Sequence, residues 1–175
     1  MTCILTTVSQ QITDAIESYR QCGGFVINDF VCDWDFEGRR KDEELTDPTT
    51  GKPDNRLHVR VVVPRKWEIA RRVSQTELEH IGAWYIDVRQ KLGTASQGAD
   101  GEIERDRLTN LVELVEQIHW MFLTDPPADY PYDLQWLAED SETSVQSEVF
   151  VAYSLEELRK RMFYGICREV FQVTV

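Results

Sequence analysis

Four carboxylates crowd one short stretch of this chain: Asp29, Asp33, Asp35 and Glu37. In an extended strand alternate side chains point the same way, so Asp33, Asp35 and Glu37 would share a face and converge on a hard cation such as magnesium. A nuclease or another metal-dependent hydrolase uses such carboxylates to hold the ion and activate water. A nuclease of the PD-(D/E)xK type also needs a lysine two residues past an acid on a neighbouring strand. Asp87-Val88-Arg89 only imitates that, with arginine in the lysine position. Acids are in excess along the whole chain, which has a formal charge of −12. The expectation is therefore a solvated sheet face rather than a metal site, with Asp33, Asp35 and Glu37 as weak candidates.

Other chemistry has less to stand on. The sequence contains no G-x-S-x-G, no P-loop, no G-x-G-x-x-G and no H-E-x-x-H. Cysteines sit at 3, 22, 32 and 167 and histidines at 58, 80 and 119, with no CxxC pair. Structural zinc usually takes its four ligands as two close pairs, so this spacing predicts free thiols, buried or half-buried. His119 falls on an apolar helical stripe and is expected to be a satisfied core histidine. The reading is of a protein with no catalytic residue, no metal and no cofactor, not an enzyme.

The chain has 175 residues, of which 42% are hydrophobic and 29% charged. That suits one domain spanning 1–175 with a core of its own. No apolar run reaches the ~18 residues needed to cross a membrane. Met1-Thr2-Cys3-Ile4-Leu5 does not open a secretory signal, so folding in a cytoplasm is expected. The negative charge argues against gripping nucleic acid by its phosphates. Basic residues cluster at Arg65-Lys66, Arg71-Arg72 and Arg159-Lys160-Arg161. Those are read as solvated faces or subunit salt bridges. An acidic surface also suits a conduit through which DNA passes without sticking.

The elements that would position these groups follow from periodicity. Leu5, Val8, Ile12, Ala15, Ile16 and Tyr19 predict a helix with Thr2 as a candidate cap, stopped by Gly23-Gly24. Residues 25–36 read as a strand. The polar stretch Glu37–Asn55 reads as a long loop or arm (about 37–56), and Leu57–Val63 as a second strand pairing antiparallel with the first in a long hairpin. Residues 65–79 are ambiguous. Ile81–Leu92 predicts a third strand, with a helix through 75–91 as the alternative, and a loop follows from Gly93 to Gly101. The stripe Leu108, Leu111, Val112, Val115, Ile118, His119 and Phe122 predicts a helix ended by Asp125-Pro126-Pro127. Residues 128–144 read as an irregular loop with a short helical turn, and Val145–Tyr153 as a strand. Ser154-Leu155-Glu156-Glu157 is a capping box opening a short helix to about Arg161, and a terminal strand runs from Tyr164.

The order α-β-β-β-α-β-(short α)-β predicts an α+β fold: a mixed, mainly antiparallel sheet with helices packed on one face. Trp34 and Trp84 are expected in the core. Trp67 and Trp136 lie in irregular segments, where they read either as exposed anchors or as a satellite core under a loop; with Leu45 they are the candidates for protein contacts.

This succession resembles tail-terminator or tail-completion (head-tail joining) proteins of long-tailed bacteriophages and prophages. The resemblance is carried by the helix around Ile4–Ile12, the strands Val31–Asp35 and Leu57–Pro64, and the alternating strand Glu79–Lys91. It continues through the helix containing Leu111-Val112-Glu113-Leu114-Val115-Glu116 and the closing strand Met162–Val175. The chain departs from the pattern in its acidic arm (37–55) and proline-rich insert (125–135), which leaves a neck or connector role open. The resemblance implies a virion subunit that forms a ring with copies of itself, commonly a hexamer. Such a ring caps the tail tube and contacts tube and head-tail connector proteins, with DNA only as passing cargo. An acidic interaction module and a metal-dependent hydrolase are the alternatives.

Overall fold

A computed structural model describes residues 3–36, 56–74, 78–92, 105–127, 131–137, 148–150 and 162–174. Two helices, α1 (Ile4–Gln21) and α2 (Arg105–Thr124), accompany seven strands: β1 (Val31–Asp35), β2 (His58–Val62), β3 (Ile69–Arg72), β4 (Leu78–Lys91), β5 (Asp133–Trp136), β6 (Glu148–Phe150) and β7 (Met162–Thr174). The α+β class and the mainly antiparallel sheet agree with the sequence. The short helix expected at 154–161, the arm at 37–55 and Leu45 lie outside the described residues.

The spine is the antiparallel pair β4–β7, in register from Glu79 opposite Thr174 to Lys91 opposite Met162. Because β7 takes one edge of β4 along its length, the other strands fall into two flanks. On the free edge of β4 lie β3 (opposite 78–81) and β2 (opposite 85–89), with β1 outside β2. On the free edge of β7 lie β5 (opposite 171–174) and β6 (opposite 166–168).

One sequence-based expectation is overturned here. β1 and β2 run parallel, Val31 opposite His58 and Asp35 opposite Val62, so they are not a hairpin. A hairpin needs only a tight turn, whereas parallel neighbours need a crossover of roughly a dozen residues or more. The stretch from Phe36 to Leu57 is long enough for that. Two short strands, β3 and β5, form where the sequence looked ambiguous or irregular.

Both helices pack on the same face. Val8, Ile12 and Ile16 of α1 join Leu111, Leu114, Val115 and Ile118 of α2 over Val59, Val61, Trp84, Ile86, Val88, Phe163 and Phe171. These are alternate positions on β2, β4 and β7, as a pleated sheet requires. Trp84 is fully buried, and its indole N–H donates to Ser9 Oγ at 2.8 Å. The cap of α1 is Cys3 rather than Thr2. Its carbonyl accepts from both Thr6 and Thr7 hydroxyls. The helix ends as foreseen. Gly23 takes φ +73°, its N–H reaches Arg20 O, and Gly24 N–H reaches Tyr19 O, a Schellman closure.

The descent of α2 onto the sheet depends on Gly165. A Cβ there would stand 2.5 Å from Cγ2 of Val115. Alanine in a strand normally gains over glycine through backbone entropy, but here the branched valine has little room to move. Gly165→Ala is expected to destabilise the protein by about 1–3 kcal/mol. Combining it with Val115→Ala should recover part of that loss relative to Val115→Ala alone, measured by urea denaturation.

Candidate functional site

The face of the sheet opposite α1 and α2 carries the acids that looked like metal ligands. Pairing places Asp33 (β1), Arg60 (β2) and Asp87 (β4) side by side in one row across three strands. Arg60 donates from Nε and Nη2 to the two oxygens of Asp33, at 2.8 and 2.7 Å, and from Nη1 to Asp35 at 3.3 Å. Asp33 and Asp35 do converge on a cation, but it is a guanidinium, whose flat fork matches a carboxylate bidentately. Hydrogen bonding to Asp33 and the nearby negative charges hold the Arg60 pKa up against the opposing effect of burial. Glu37 lies outside the described residues, and Asp29 faces away from this row, into the cleft described below.

Behind that row, Tyr164 Oη donates to Asp87 Oδ1 at 3.1 Å, and the Arg89 guanidinium lies 5.0 Å from the Tyr164 ring centre. Burial raises the pKa of the Asp87 carboxyl, opposed by the Tyr164 hydrogen bond and by Arg89 and Arg60. Among the described residues no group of three or more His, Cys, Asp or Glu is arranged to hold a metal ion. The arginine that imitates a nuclease lysine, Arg89, is buried.

A second cluster joins three elements on the helix-covered face. Glu169 of β7 is fully buried, and both its oxygens are engaged, one with His119 Nδ1 at 2.9 Å and the other with the indole N–H of Trp136 at 2.8 Å. His119 belongs to α2 and Trp136 to β5, so one carboxylate ties helix, central strand and edge strand together. His119 is a satisfied core histidine, as its place on the stripe implied. Its ring also meets Trp120 and Trp136 edge-on, at centroid separations of 4.8 and 5.3 Å. A carboxylate on Nδ1 orients an imidazole as in many catalytic and metal sites. Here the ring is flanked by indoles, and the Cys167 thiol, which also hydrogen-bonds Glu169, is fully buried with its pKa pushed well up by that burial.

Of the two readings open for Trp67 and Trp136, the structure takes packing under irregular segments. Trp136 is half-buried by its bond to Glu169, and Trp67 is half-buried against His80 (4.8 Å) and Trp84 (5.8 Å). Neither projects as a free anchor, because β5 and the turn before β3 fold back over the core. The exposed tryptophan is Trp120, 56% accessible, with Leu123 one turn on at 66%. Position 120 falls outside the apolar stripe of α2, which was the available signal. The thiols are mixed: Cys167 is buried and Cys32 half-buried, with their pKa values pushed up chiefly by burial, while Cys3 and Cys22 are exposed, contrary to expectation.

A half-open cleft of about 830 Å³ lies where β1 begins, lined by Asp29, Arg56, Gln90, Asp106, Arg107 and Asn110 among others. It mixes both charge signs, and these side chains supply no nucleophile with a base beside it.

Burial raises the Glu169 pKa above the ordinary carboxylate value, against the hydrogen bonds from His119 and Trp136. The folded chain thus binds that proton more tightly than the unfolded chain. The stabilisation linked to it is complete below the ordinary carboxylate range and is lost as pH rises through the raised value. Glu169→Gln retains an acceptor for Trp136 and a donor for His119 and removes the titration. It is expected to fall within about 1 kcal/mol of the parent at neutral pH, with the parent's relative advantage growing on acidification. Glu169→Ala strands two buried partners and should cost about 2–4 kcal/mol. Denaturant titrations from pH 4 to 8 check both. In comparison with known proteins, no family model matches the chain and no curated protein matches it.

Proposed function

We propose that the chain is a non-enzymatic structural subunit that assembles with copies of itself into a ring, as a tail-terminator, tail-completion or neck component of a long-tailed phage or prophage virion. The observation that carries this reading is the disposition of the sheet. Its flanks end in different strands, β1 and β3 on one side and β5 and β6 on the other. A rotationally closed ring needs two unlike surfaces on each subunit, one docking into the other on the next copy. Strand edges flanked by exposed apolar side chains are suitable material for such contacts. Phe36 at the end of β1 is 58% accessible, and Trp120 and Leu123 stand beside β5.

The polar clusters support the same reading. Asp33 and Asp35 are held by Arg60, and His119, Glu169 and Trp136 are held by one another, so these side chains serve the fold. The acidic composition suits a passage that DNA slides through without adhering. No described helix is long and apolar enough to cross a membrane.

The expected outcome is a ring-shaped oligomer in negative-stain images, formed at high concentration or on addition of tail-tube protein, with a matching mass by light scattering. A chain that stays monomeric at every concentration and ignores tube protein refutes the reading. Magnesium or manganese should leave the melting temperature unchanged, because an arginine already fills the space between the two carboxylates.

A further inference from the structure

Two surfaces of the chain are opposite in charge, alike in exposing apolar side chains, and set on opposite flanks of the same sheet. Among the described residues from Leu108 to Leu137 there are four Asp or Glu, all exposed (Glu113, Glu116, Asp125 and Asp133), and no Lys or Arg. From Arg56 to Arg72 the sequence carries six Lys or Arg and a single acid, Glu68. Arg60 pairs with Asp33 and Asp35 and Arg71 with Glu79, and the exposed cations include Arg65, Lys66 and Arg72. The first stretch covers most of α2 and all of β5, on the free side of β7; the second holds β2 and β3, on the free side of β4.

The exposed face of α2 gives the acidic surface its form. Glu113, Glu116, Trp120 and Leu123 are all exposed. They recur at three- and four-residue steps, so they form one stripe, two carboxylates followed by two apolar side chains. The β3 flank is its counterpart. Arg65, Lys66 and Arg72 are exposed there, beside Val73 (57% accessible) and Leu78 (45%). Ile69, Ile81, Gln172 and Gln135 lie opposite one another in turn across β3, β4, β7 and β5. The two flanks are therefore separated by three strand spacings, roughly 14 Å.

We propose that the α2 stripe of one copy docks on the β3 flank of the next, a head-to-tail contact between second copies of this chain. A two-fold dimer through either surface would set like charges against each other, acid on acid or base on base, which costs several kcal/mol. Only the unlike pairing matches charge to charge while covering Trp120 and Leu123 with Val73 and Leu78. Each copy then presents one used and one open surface until the chain of contacts closes. The inference rests on the ring-forming reading and names the surfaces that build it.

Charge reversal on the full chain tests it. Glu113→Lys with Glu116→Lys makes one subunit basic on both flanks; Arg65→Glu with Lys66→Glu makes the other acidic on both. All four positions are exposed, and circular dichroism melts verify that each variant folds. In sedimentation velocity, parental self-association should weaken steadily between 50 and 500 mM salt. Either variant alone should associate roughly 10-fold or more weakly. An equimolar mixture should associate again, because every contact in an alternating array regains opposite signs. Variants that assemble like the parent, or a mixture that stays dissociated, overturn the proposed surfaces while leaving a parental ring standing. A parent that remains monomeric even with tube protein overturns both readings.

Discussion

The ladder between β4 and β7 is the constraint from which the rest of the molecule follows. It is long for a globular sheet, and its strands are separated in sequence by α2, β5 and β6. A contact between such distant segments must overcome the entropy of closing a large loop before it contributes stability. Its length also creates the flanks. Because β4 outruns β2, β3 has somewhere to pair; because β7 outruns β6, β5 has somewhere to pair. The same register decides what each face contains. Trp84, Ile86 and Val88 of β4 meet the helices, and the residues between them, Tyr85, Asp87 and Arg89, turn to the other side.

That alternation explains why an acid-rich stretch ends as structure. A carboxylate on a pleated face is joined by whatever the neighbouring strand presents at the same level. For Asp33 that neighbour is Arg60. Asp33 and Asp35 are both more than a third exposed on their side chains, so the ion pairs are screened and contribute modestly to stability. Their effect is on register: a one-residue slip of β1 against β2 would turn Arg60 away from both acids. The buried Glu169 acts differently. Its charged form is costly away from water, and two directed hydrogen bonds offset that cost only when α2, β5 and β7 are all in place.

Long, strongly periodic segments were legible in the sequence. Both helices and the strands at 31–35, 58–62, 78–91 and 162–174 follow from apolar spacing, and Gly23-Gly24 marks the end of α1. What escaped was decided by partners. β3 and β5 have four residues each, with Arg71-Arg72 in one and Asp133 and Gln135 in the other, and take their conformation from the protruding ends of β4 and β7. The direction of β1 relative to β2 is set by long-range pairing, on which local propensity is silent. Arg60 could have been found. Once Leu57, Val59, Val61 and Val63 are assigned to the core, residue 60 must face the acids on the neighbouring strand. Trp67 and Trp136 had two readings because an irregular segment can still fold down on a core, while Trp120 was overlooked inside a helix that looked wholly accounted for.

The polar groups in the two clusters are occupied by one another. Exposed apolar side chains on α2 and around β3 have charge of opposite sign beside them. Exposed tryptophan and leucine are costly to leave in water, by about 25 cal/mol for each Å² of apolar surface that could be covered. In the proposed assembly, burial favours contact, like charges on each flank disfavour the symmetric one, and the arrangement that remains is directional. Directional contact between identical subunits either closes or grows without limit. In the proposed assembly the β4–β7 ladder, which lies between the two flanks, sets the angle between their contacts and so decides which.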